Sequence, residues 1–128
     1  MNALTKKWLE RAQYDLVTAE AMLKARRYLY VAYMCQQSIE KILKAIIVES
    51  NGKSFPTHNL TRLAEEAKIY AEIGQKRQDF LADLTPFAIE ARYGDYRKSL
   101  SEIIDRKKSL KYLAATKEVF KWLRKKLA

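Results

Sequence analysis

Tyr28–Gly52, YLYVAYMCQQSIEKILKAIIVESNG, is the stretch that decides the fold. Cys35, Ile39, Ile42, Leu43, Ile46 and Ile47 return at intervals of three and four residues, which lines them up as one broad apolar surface of a helix. That helix runs to about Ser50, and Asn51-Gly52 supplies left-handed backbone at which the chain turns. Two polar rows interrupt the apolar surface. Gln36, Glu40 and Lys44 follow one another at i, i+4 and i+8, with Tyr33, Gln37 and Lys41 beside them. A glutamate four residues before a lysine is a favourable pair on any solvated helix. On a helix this apolar, and therefore central, the same rows would instead lie in a cleft or a subunit interface.

On the N-terminal side, Trp8, Ala12, Leu16, Ala19 and Leu23 predict a first helix over about Thr5 to Ala25. Asp15 falls on its packed side, where an unpaired carboxylate is costly, so it is expected to meet Lys41 or Lys44. On the C-terminal side, Lys53 to Asn59 reads as an extended loop around Pro56. Asn59 then caps a short helix over Leu60 to Tyr70. A fourth helix spans Gln75 to Arg92, with Pro86 either kinking it or marking the start of its true first turn. After a loop at 92–96, Ser99 or Ser101 caps a final helix with the stripe Ile103, Leu110, Leu113, Phe120, Leu123 and Leu127. The expectation is an all-α, up-and-down bundle of about five helices forming one domain over residues 1–128.

Composition agrees with this reading. Of 128 residues, 48% are hydrophobic and 31% charged, enough for one core under a solvated surface, and 3 Gly with 2 Pro are too few for the turns of a sandwich or barrel. One cysteine excludes an internal disulfide and a cysteine-based zinc site, which suits a reducing cytoplasm. The N-terminal residues lack the apolar core of a signal peptide, and no apolar run approaches the roughly 20 residues of a membrane span. The net charge of +10 is uneven. Residues 1–96 hold 14 basic and 12 acidic side chains, whereas residues 97–128 hold 11 and 3, a net of +8. Such a tail attracts polyanions, or simply solvates a helix whose lysines also suit the negative end of its dipole.

Few residues offer catalysis. His58, the sole histidine, sits in the loop before the third helix, where an imidazole commonly bonds backbone. Cys35 belongs to an apolar stripe and is expected to pack as a small hydrophobe rather than act with His58 as a nucleophile. There is no Gly-rich phosphate loop, no helical His-x-x-x-His and no Gly-Ser with spaced aspartates of a nucleotidyltransferase. No metal or cofactor is called for.

Four blocks in order carry more. Trp8, Ala12, Asp15-Leu16 and Ala19, then Gln36-Gln37, Glu40-Lys41 and Leu43-Lys44-Ala45, then Thr57-His58-Asn59-Leu60 and Leu63, then Ala91-Arg92-Tyr93 and Asp95 together resemble the HEPN domain family over essentially the whole chain. The resemblance implies a five-helix bundle, usually a homodimer. Prokaryotic members are commonly encoded beside a minimal nucleotidyltransferase and have been regarded as nucleotide-binding. Many relatives are metal-independent ribonuclease toxins of toxin-antitoxin systems, marked by an arginine with a histidine four to six residues later. Arg92 matches the arginine, but no histidine follows it here. Taking a proton from a 2′-hydroxyl near neutral pH suits histidine, whereas Asp95 is a weak base and Tyr96 stays protonated at their ordinary pKa values.

The function expected is thus a non-catalytic, cytoplasmic nucleotide- or RNA-binding homodimer paired with a minimal nucleotidyltransferase. In it Arg92 offers a planar donor fork, Lys41 and Lys44 add point charges, and Tyr93 or Tyr96 stacks on a base. Asp15, Gln37, Glu40 and His58 are expected to be structural polar residues. The alternatives are a divergent ribonuclease toxin centred on Arg92 with Asp95, and a pure assembly protein.

Overall fold

A computed structural model describes residues 1–54, 56–90 and 102–127. Helix α1 (Ala3–Lys24) opens at Asn2, whose side chain accepts from the Thr5 amide at 2.7 Å. Asn2 Nδ2 also donates to Val48 O, and Thr5 Oγ1 donates to Glu49 Oε1, which fastens the start of α1 to the end of α2 (Tyr28–Asn51). The two long helices therefore run antiparallel. Between them Arg26 takes φ 60°, and the amides of Arg26 and Arg27 close back onto Leu23 O and Met22 O. This is a Schellman turn made without glycine. At the far end of α2, Gly52 (φ 80°) supplies the expected left-handed cap.

Helix α3 (Leu60–Glu66) is capped by Asn59, as its sequence predicts, but ends before Tyr70. Lys68 adopts φ 62°, and the amides of Lys68 and Ile69 bond Glu65 O and Ala64 O, turning the chain so that Ile69 enters the core. The predicted fourth helix is two pieces, α4 (Gln75–Leu84) and α5 (Phe87–Glu90), because Pro86 lacks the amide that would continue the ladder. Thr85 at the break donates to Leu81 O and accepts from the Leu60 amide, tying the break to the start of α3.

The last helix, α6 (Arg106–Arg124), is capped by Asp105, whose Oδ1 accepts from Lys108 N at 2.8 Å, and ends in a 3₁₀ turn over Lys125–Leu127. Ser99 and Ser101, the expected caps, lie outside the described residues. The predicted stripe is correct from Leu113 onward. Ile103, however, precedes the cap and is exposed while Ile104 is buried, and Leu110 lies at the edge of the packed face.

Helix α2 is the axis of the bundle. It packs along α1, against α6, and against α3, α4 and α5. Ile39, Ile42, Leu43 and Ile47 are essentially inaccessible, each worth about 1.5–3 kcal/mol of burial. The described residues contain no strand, and the fold is an all-α bundle.

Candidate functional site

Because α2 is enclosed, its polar rows lie inside the protein. Glu40 is 4% exposed, yet its carboxylate is fully engaged. Oε1 accepts from Gln36 Nε2 at 3.1 Å and lies 2.8 Å from His58 Nδ1, while Oε2 accepts from Lys44 Nζ at 3.0 Å. Gln36 also donates to His58 O, and Gln37 Nε2 donates to Gln36 Oε1 at 2.7 Å. Burial alone would raise the carboxyl's pKa. The hydrogen bonds from His58, Gln36 and Lys44, with the charge of Lys44, outweigh it and hold Glu40 below its ordinary value. The ammonium of Lys44 also lies 5.4 Å from the centre of the Trp8 ring.

A second buried charge is matched the same way. Of the two lysines offered as partners for Asp15, Lys41 makes the contact, with Nζ at 2.5 Å from Oδ2. Lys41 and Lys44, expected to supply point charges to a phosphate, each rest their ammonium on a carboxylate of their own chain, and Lys44 is buried. Their positive charge is compensated internally, leaving little field for a ligand. The rest of the expected site, Arg92, Tyr93, Asp95 and Tyr96, lies outside the described residues. Gln36, which joins His58 to Glu40 and Gln37, matters more than its place in an i, i+4 row suggested.

Cys35 is fully buried, and burial pushes its thiol up to about 12, so it is no nucleophile. Among the described residues no three of His, Cys, Asp and Glu gather where a metal ion could sit, and no helix is long and apolar enough to cross a membrane.

The basic C-terminal region behaves differently from the α2 lysines. Lys117 pairs with Glu20 of α1, Lys126 with Glu72, and α6 receives Arg77 of α4 on Glu118 through two 2.9 Å bonds. Lys107, Lys108, Lys111, Lys121 and Lys125 are exposed, and none forms an ion pair among the described residues.

Comparison with known proteins places this geometry. A comparison with curated proteins gives no match. Among solved structures, the crystal structure of TT1696 from Thermus thermophilus superposes with a TM-score of 0.82 at 18% identity, covering 95% of this chain and 97% of that one. At that identity the likeness concerns the fold. The HEPN domain family model matches residues 5–126, nearly the whole length, so the chain belongs to the HEPN domain family.

Proposed function

We propose that the protein is a nucleotide- or RNA-binding module that does not itself cleave, acting as a homodimer beside a separately encoded minimal nucleotidyltransferase. The observation that carries this reading is the lysine-rich face of α6. Four of its ammonium groups, those of Lys107, Lys108, Lys111 and Lys121, form no ion pair among the described residues, while the lysines of α2 are neutralised. Uncompensated surface cations release counterions when a polyanion replaces them. The non-catalytic part rests on chemistry. No histidine follows Arg92 in the sequence, and His58 already holds Glu40 with its ring and Gln36 with its carbonyl. The partner is inferred from the family resemblance.

The test is binding of labelled single-stranded RNA by fluorescence anisotropy over roughly 50–300 mM salt, with the mass measured by light scattering. Wild type is expected near twice 15.0 kDa, with affinity falling steeply as salt rises. Charge reversal at Lys107, Lys108 and Lys111 is expected to flatten the log–log slope by about two to three. No binding by wild type overturns the reading. RNA cleavage that is lost in Arg92→Ala and Asp95→Asn replaces it with the ribonuclease.

A further inference from the structure

A groove of about 720 Å³ lies between α4 and α6, away from the polar cluster of α2. Its floor is aromatic. Phe80 and Phe87 each meet the ring of Tyr112 edge-on, with centroids 6.1 and 5.7 Å apart. Phe87 is buried, whereas Phe80 and Tyr112 are half-buried and present ring surface to the opening. Lys76 on the first turn of α4, and Lys108 and Lys111 on α6, line the same groove. All three are exposed, and none forms an ion pair among the described residues, although Asp79 and Asp83 also line it. Asp79 Oδ1 accepts from Gln75 Nε2 at 2.8 Å. Burial, then the charge of Asp83, raises the Tyr112 phenol above its ordinary value, so it stays a neutral donor.

This combination narrows the ligand class. An apolar helix would strip water from the carboxylates, and an acidic peptide would face them with like charge. A lone phosphate would use the lysines and leave the rings idle. A nucleotide uses all three features: phosphate on the lysines, base stacked on one of the Phe80 and Tyr112 rings and flanked by the other, and an exocyclic amino group donating to a carboxylate. We propose that the α4–α6 groove is a subsite for one base and its phosphate within single-stranded RNA, favouring bases that carry an amino donor. This rests on the nucleic-acid reading above and deepens it by naming the residues that touch the base.

The experiment compares decamers of oligo(C) and oligo(U) with inorganic polyphosphate, which carries backbone charge without bases, on the full chain by anisotropy and competition. Oligo(C) is expected to bind several-fold more tightly than oligo(U). Phe80→Leu and Tyr112→Leu are expected to weaken oligo(C) about ten-fold and leave polyphosphate unchanged. Lys76→Gln is expected to weaken both, and Asp83→Asn to shrink the preference for oligo(C). Should Tyr112→Leu fail to fold, the exposed Lys76 and Asp83 variants carry the same decision. Wild type that binds oligo(C), oligo(U) and polyphosphate alike, indifferent to Phe80→Leu and Asp83→Asn, overturns the groove and leaves the binding module standing. Wild type that binds none of the three overturns both.

Discussion

Glu40 holds a negative charge inside the protein because three donors converge on it, one of them from a loop remote in sequence. Its native pKa lies below the ordinary 4.5, so the fold favours the charged form. The stabilisation is therefore fully present above about pH 4.5 and lost as pH falls through the lower native value. Replacing Glu40 with Gln strands the Lys44 ammonium and is expected to cost about 3 kcal/mol at about pH 6 by urea unfolding. The gap to wild type should narrow below about pH 4; a constant gap would show that the charge contributes nothing. Asp15 makes a gentler case, since Lys41 keeps some access to water. Asp15→Asn is expected to cost about 1–2 kcal/mol, against a few tenths for Glu20→Gln in the open pair with Lys117. Equal urea midpoints for the two variants would sink that ranking. Spacing alone did not reveal this network, because Glu40 and Lys44 at i, i+4 look the same on a solvated face. Their surroundings come from elsewhere in the chain, Trp8 of α1 against Lys44 and His58 of the loop against Glu40.

At the level of elements, helix boundaries with a local chemical signature were legible and the others were not. Asn59 announces α3 and Gly52 ends α2, because side-chain caps and glycine have local signatures. The close of α3 has none, since Lys68 takes the left-handed conformation that glycine would adopt more readily. The cause is tertiary: the turn brings Ile69 into the core. Lys68→Gly is expected to stabilise the protein by about 0.5–1 kcal/mol in thermal unfolding, while Lys68→Ala, with the same backbone strain, gives no gain. No gain from glycine would mean the turn is unstrained. The aromatic groove was invisible for a related reason. Phe80, Phe87 and Tyr112 sit on three helices, and each reads singly as core or surface.

For the whole molecule, the all-helical bundle and the family were both legible, because the α1 and α2 periodicities are long and the four sequence blocks span the chain. A cleft or subunit interface for the polar rows of α2 was the less sound expectation, because α2 is enclosed by its own chain and needs no cover from a second copy. The proposed homodimer would instead draw on outer residues, such as Tyr14 and Val17 of α1, which are 73% and 66% exposed. The enclosure of α2 also divides the molecule in time. Its backbone amides can trade hydrogen for deuterium only when the whole bundle opens, so they report the global equilibrium. The seven-residue α3 and the solvent-facing side of α4 can exchange through smaller openings. A ligand seated between α4 and α6 therefore writes its presence into the fast-exchanging amides of α4, while the slow clock of α2 records how much it steadies the fold.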